Sequence, residues 1–170
     1  MRNIFFSPGE PEFSAASHEE LANAFNPMAV EGDVYYSNAF TLGYFSAICV
    51  EADDVTLLLN GYTIEQGPGH ALLQRFFAII YLASAPFIPA VGPLDFVGPN
   101  EFVSAKNFGV FGPGKLGLSS HHGIHGNNNE NITVCGVTFE DFEVAAVSLN
   151  NVDGACFAVL VCVKDVFGVL

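Results

Sequence analysis

The chain has no tryptophan, only five basic side chains, no Cys-x-x-Cys pair and no apolar run long enough to cross a bilayer. Each absence removes a class of function. Arg2, Arg75, Lys106, Lys115 and Lys164 stand against 18 acidic residues, for a net charge of −13. Phosphate backbones are neutralised by clustered Lys and Arg, so nucleic acid is a poor candidate partner, and so is an anionic membrane surface. Cys49, Cys135, Cys156 and Cys162 lack the paired spacing of zinc-ribbon or thioredoxin motifs. Three of them sit in apolar strand-like runs, where a reduced thiol acts as a small buried hydrophobe, so free thiols are expected. The longest apolar stretch, Phe76 to Val91, is cut by Pro86 and Pro89. It falls short of the roughly 20 residues a spanning helix needs, so no membrane span is expected. The N-terminal "MRNIFFSPGEPEF" is too short in apolar residues for a signal-peptide core. Nucleophile elbows, P-loops and dinucleotide fingerprints are missing as well.

What is present is apolar and corner-rich. Apolar residues make up 51% of the 170 positions and charged residues 14%, with 17 glycines and 17 phenylalanines. That composition fits one domain with a sizeable buried core and many tight corners. Residues 1–40 read as a cap or entry segment, in which Ser17 N-caps a short helix that ends before Pro27. From Ala47 the period changes to two. In "DDVTLLLNGYTI", Val55, Leu57 and Leu59 face one way and Thr56, Leu58 and Asn60 the other, ahead of a corner at Asn60-Gly61 and a second short strand.

The same phrase recurs in "KNFGVFGPG" and "ENITVCGV". Asp54 and Asn107 are 53 positions apart, and Asn107 and Asn131 are 24 apart, which reads as two turns and one turn of a single repeat. Ile124 and Val147 match at 23 positions. Self-similarity at such a period predicts a solenoid in which each unit covers its neighbour's apolar face. Between the repeats, residues 66–100 are too apolar for a solvated loop. They are read as strand pieces plus a lateral insertion, with "HALLQRFFAIIYLA" open to a helical reading.

"ADDVTLLLNGYTI" and "HHGIHGNNNENITVCGVTFEDFEVAAVSLNNVDG" resemble the coils of right-handed parallel β-helix proteins of the pectin-lyase-like superfamily, over roughly residues 45–165. The resemblance implies an all-β solenoid of four or five coils over residues 41–170. It implies no particular activity, because many members of that superfamily are not enzymes. The catalytic sets of its lyase-like and polygalacturonase-like branches do not carry over. The coil region holds few basic residues for proton abstraction, Asp53-Asp54 stands in the wrong order, and "GIHG" is interrupted by Ile124.

Three candidate sites follow from the residues. His121, His122 and His125 fall within five positions. On a strand His121 and His122 point to opposite faces, so only one of them is expected to join His125. With Glu130, His121 and His125 are the candidate metal ligands. Asn127, Asn128, Asn129 and Asn131 suit left-handed corners, where they can form ladders between coils. The acidic groups Glu51, Asp53 and Asp54, and Glu140, Asp141 and Glu143, are able to bind calcium through oxygen or to supply two carboxylates to a glycan groove.

Two function classes result. The first is a non-catalytic structural or recognition module, at an extracellular or particle surface, that binds carbohydrate or a protein neighbour through one face. The second is a polysaccharide lyase or glycoside hydrolase using Asp53, His121, His125, Glu140 and Asp141. The scarcity of basic residues favours the first. The nearly uncharged "GACFAVLVCVKDVFGVL" adds an expectation of an open sheet end and of assembly through apolar surface.

Overall fold

The computed structural model describes residues 2–5, 45–73, 76–88 and 101–163. The helix expected near residues 17–26, the middle of the apolar insertion at 89–100 and the C-terminal residues 164–170 lie outside the described residues. The described chain is all-β and its sheets are parallel. Eleven strands are described: β1 Arg2–Phe5, β2 Ser46–Cys49, β3 Val55–Leu58, β4 Thr63–Glu65, β5 Ala78–Tyr81, β6 Gly109–Ser119, β7 His122–Asn127, β8 Glu130–Phe142, β9 Ala145–Asn150, β10 Asp153–Ala158 and β11 Val161–Val163. One short helix, α1 Pro68–Leu73, precedes β5.

Sheet A stacks β1-β3-β6-β8-β10, with β4 beside β6 and β11 beside β8, and sheet B stacks β2-β5-β7-β9. From β5 onward the chain crosses from one sheet to the other at every corner until β10, and each return adds a strand parallel to the one before. Neither sheet closes on itself. The period-2 reading of the first repeat holds: Val55, Leu57 and Leu59 are buried while Thr56 and Leu58 are half-covered. Leu57, Val110, Ile132 and Val134 of sheet A meet Ile80 and Ile124 of sheet B in one core. Burying each of these aliphatic side chains contributes about 1.5–3 kcal/mol, which makes this layer the main source of cohesion.

The register shows what the repeat spacing meant. Ile124 lies opposite Val147, as the 23-residue match predicts, and Gly109 lies opposite Thr133 in the 24-residue step. The 53-residue step is a different matter. Thr56 pairs directly with Gly109, so 53 residues make one layer and not two turns. The extra residues are absorbed by α1, β5 and the segment that leaves at Ser84 and returns at Val103. A strand ladder constrains only the residues that pair, so an insertion of any length at a corner leaves the register intact. The ambiguous apolar run is also divided: "HALL" is helical and "AIIY" is a buried strand of sheet B.

Corners are set by left-handed residues stacked in columns. Asp54, Asn107, Asn131 and Gly154 all have positive φ, between 53° and 80°. Their side chains link layer to layer: Asn107 Nδ2 donates to Asp54 Oδ1 and Asn131 Nδ2 to Asn107 Oδ1, each at 3.0 Å. A second column joins Asn151 to Asn128 at 2.8 Å, again with both φ values near 55°. Asparagine combines tolerance of this conformation with a side-chain amide that reaches the next layer, which explains Asn128 and Asn131, whereas Asn127 lies in β7 and Asn129 is buried, neither with a left-handed backbone. Asn60-Gly61 makes the expected corner, closed by Tyr62 N donating to Leu59 O at 2.9 Å. It is not a hairpin, because β3 and β4 both run parallel to β6.

The four cysteines are free thiols, but they do not act as buried hydrophobes. Cys135 is half-covered and Cys49, Cys156 and Cys162 are exposed, because strand alternation or position in the outermost layer turns them away from the core. The left-handed corners yield a prediction. Replacing Asn131 by Val places a β-branched residue at φ 54° and removes a ladder bond, so urea denaturation is expected to show a loss of about 2 kcal/mol. Asn131→Gly, which keeps the backbone free to adopt that φ, is expected to lose less.

Candidate functional site

The candidate site lies on β7, where all six residues from His122 to Asn127 are buried. A strand buried along its whole length must be covered on both faces. Its inner face meets sheet A. A Cβ on Gly123 would lie 2.7 Å from the Phe139 ring and 2.5 Å from the Ala146 carbonyl oxygen, so only glycine permits this approach of the two sheets. On its other side Tyr81 packs on His125, and Phe76, with Phe87 behind it, packs on His121 just ahead of the strand.

The covering residues and the histidines form one continuous column of rings. Centroid distances run 4.7 Å from Phe87 to Phe76, 4.5 Å from Phe76 to His121 and 3.9 Å from His121 to His122. They continue at 5.0 Å from His122 to His125, 4.8 Å to Tyr81 and 5.1 Å to Phe45. All three histidines therefore come together, against the expectation that His121 and His122 would diverge. The reason is local: His121 sits in the bend before β7, where strand alternation does not apply, and its carbonyl accepts from the Val144 amide of the next layer.

Ring orientation decides what this column can do. His122 and His125 are stacked with 16° between their planes, so their nitrogen lone pairs lie in nearly parallel planes and are not aimed at a point between the rings. Among the described residues no group of three or more His, Cys, Asp or Glu side chains is arranged to hold a metal ion. Glu130, the expected carboxylate partner, is 2.6 Å from Lys106 on an exposed flank of sheet A. The column is an aromatic stack, with imidazoles in the place of phenyl rings.

The hydrogen bonds fix how the imidazoles are protonated. Asn150 Nδ2 donates to Asn127 Oδ1 at 2.9 Å and approaches His125 Nε2 at 3.4 Å. Since the amide nitrogen is a donor, Nε2 is the acceptor and the single proton of neutral His125 resides on Nδ1. His122 bonds the backbone of Ala145. The Nδ1 atoms of both rings are buried with no hydrogen-bond partner among the described residues. Burial, reinforced by the neighbouring imidazoles, pushes His122 down to about 3 and His125 down to about 4. Both are neutral at pH 7, and neither is poised as a general acid or base there.

Buried polar side chains anchor the surroundings. Asn129 Nδ2 donates to Leu82 O at 2.7 Å and to Ala105 O at 3.0 Å, so it ties both ends of the lateral segment to the corner after β7. Ser119 Oγ lies 2.6 Å from His122 O and 3.0 Å from Phe77 O. Gln66 Oε1 accepts from the Ser120 amide at 2.7 Å, while its Nε2 reaches His70 Nδ1 at 3.0 Å.

The acidic candidates are spread along sheet A. Asp53 Oδ1 accepts from the Lys106 amide at 3.0 Å, level with the start of β8 through the Lys106–Glu130 bridge. Glu140 lies ten residues further along β8 and is held 2.6 Å from Lys115. Those ten residues are about 30 Å of strand path, so Asp53 and Glu140 do not face one another as a catalytic pair. Asp141 takes a left-handed corner position stacked on Leu118, with both φ values positive. Sequence reasoning missed Phe76, Tyr81, Phe87 and Asn150 as partners of the histidines. The available signal was the apolar character of residues 66–100, which implies a surface to cover.

No protein-family model matches the chain, no curated protein matches it, and no solved structure matches its fold.

Two outcomes are expected. Asn129→Ala removes two hydrogen bonds to buried carbonyls, of which Leu82 O keeps the Ala105 amide, and chemical denaturation should show a loss of about 1–3 kcal/mol. In a histidine-resolved NMR titration of the folded protein, His122 and His125 should stay neutral down to pH 5, while a fully solvated imidazole titrates near 6.5.

Proposed function

We propose that the two sheets are faces of one right-handed parallel β-helix of the pectin-lyase-like kind, and that the chain is a non-catalytic structural or recognition module. Its partner on this reading is a neighbouring protein. The observation that supports it is the outermost layer. Among the described residues β10 and β11 are hydrogen-bonded only to β8, and they expose Phe157 at 46%, Val161 at 52% and Val163 at 40%, with Val159 at 80% in the corner between them. An apolar strand layer with an open ladder edge suits the addition of a strand or an apolar face from another protein. Among the described residues no helix is long and apolar enough to cross a membrane.

A second observation favours carbohydrate on the lateral face of sheet A. A Cβ on Gly109 would meet the Phe111 ring edge at 2.6 Å, so that half-buried ring reaches over the glycine edge-first, with Thr56 and Thr133 in the paired positions on either side. An aromatic face beside hydroxyls is suited to stacking on a sugar ring. The alternative, a lyase or hydrolase built on Asp53, His121, His125, Glu140 and Asp141, has less support. The carboxylates of Asp53 and Glu140 hold structural partners, and the buried histidines are neutral.

The test combines assembly with binding. Light scattering after size-exclusion chromatography should show self-association or partner capture that Phe157→Asp with Val161→Asp abolishes. A glycan array, read with and without calcium and followed by assays for reducing ends and unsaturated products, addresses the other readings. Glycan binding lost in Phe111→Ala without product moves the reading to carbohydrate. Released product overturns the non-catalytic assignment.

A further inference from the structure

Among the described residues the corner between β3 and β4 is where a left-handed asparagine stands outside the ladders. Asn60 has φ 51° and Gly61 φ 84°, and both residues are exposed. The Asn60 side chain makes no hydrogen bond among the described residues. The neighbouring layer gives the reason. It passes this corner through Gly112, Pro113 and Gly114, none of which carries a side-chain hydrogen-bonding group that could receive the amide. Space is open as well, since a Cβ on Gly61 would have nothing within 4 Å.

The other left-handed asparagines differ on both counts. The side chains of Asn107, Asn128, Asn131 and Asn151 are tied into ladder bonds of 2.8 to 3.0 Å, which fix the carboxamide in place. They are followed by Phe108, Asn129, Ile132 and Val152, whose side chains crowd the next amide nitrogen. Asn60 alone in the chain is followed by glycine. A free carboxamide beside an unhindered backbone nitrogen is the arrangement that makes asparagine a labile residue. The ring closure it permits is the attack of that nitrogen on the side-chain carbon.

We propose that Asn60 is a site of spontaneous covalent modification in the folded protein, by deamidation and isomerisation through a cyclic imide with Gly61. The Gly61 nitrogen attacks Asn60 Cγ. A carbon–nitrogen bond forms there, the Cγ–Nδ2 bond breaks, and the side-chain nitrogen leaves as ammonia with the Gly61 proton. Water then opens the imide. Addition at Cγ restores the main chain with aspartate at this position, and addition at the main-chain carbonyl leaves the chain running through Cγ, as isoaspartate. One water enters and one ammonia leaves, with no oxidant or reductant. The Gly61 amide donates to Pro113 O, so attack follows local opening of that bond. Aspartate adds a negative charge and keeps the register. Isoaspartate adds a main-chain bond between Leu58 and Thr63, which are held in register on β6 opposite Phe111 and Lys115.

Peptide mapping by mass spectrometry, on folded protein aged in heavy-oxygen water, tests this. The peptide that spans Asn60 should be the first to take up solvent oxygen, as a mixture of aspartyl and isoaspartyl forms distinguished by electron-transfer fragmentation. The peptides that hold Asn107, Asn128, Asn131 and Asn151 should remain intact over the same period. Asn60→Gly keeps a backbone free to adopt the left-handed conformation but has no carboxamide, and it should abolish the signal at this position. Conversion of any of the four ladder asparagines ahead of Asn60 overturns the proposal. So does an Asn60 that stays intact in the folded protein while the urea-unfolded chain converts, which would mean that the bond to Pro113 protects the corner. Should the variant fail to fold, the wild-type map still decides between these outcomes.

Discussion

The structure depends on one constraint: every return of the chain must lay its strand parallel and in register on the strand before. In-register stacking lets like residues sit on like, so that Ile80, Ile124 and Val147 form one apolar row and Asp54, Asn107 and Asn131 one polar row. Apolar rows supply the cohesion. Polar rows keep the corners at the same height in each layer, because a left-handed residue displaced by one position would flip its strand's side chains to the wrong face. The ion pairs Lys106–Glu130 and Lys115–Glu140 join neighbouring layers on exposed flanks, where water screens them, and they are secondary to this arrangement.

Ladders tolerate insertions at corners, and the lateral segment exploits that tolerance. Its outgoing end brings Phe87 onto Phe76 and so extends the ring column at His121, beside a β7 that is buried along its whole length. His122 and His125, which would be solvated on an open corner, are buried neutral rings. Their chemistry is set by what lies over them more than by their own spacing. Asn129 is the joint of this arrangement, since its amide holds both the outgoing and the returning ends of the segment.

Two surface features support the proposed recognition role. The outermost strands present apolar side chains, and the lateral face of sheet A carries an aromatic ring reaching edge-first over a glycine beside threonines. The carboxylates that looked catalytic in sequence hold the scaffold together: Asp53 caps a backbone amide, Asp54 begins the corner ladder and Glu140 pairs with Lys115.

The sequence by itself determined the strand face, the corners and the smallest register step. Alternation in "DDVTLLLNG" placed Val55, Leu57 and Leu59 inside, the asparagines marked left-handed corners, and Ile124 was matched to Val147, because each of these signals is local or repeats without interruption. Only the tertiary structure decided that 53 residues form a single layer, since the length of an inserted segment leaves no trace in the register it rejoins. It alone decided the fate of the histidines too. His121 escapes strand alternation by lying in a bend, and the ring that packs on it is Phe76, with Phe87 behind, both more than thirty residues away in sequence, with no period to announce them.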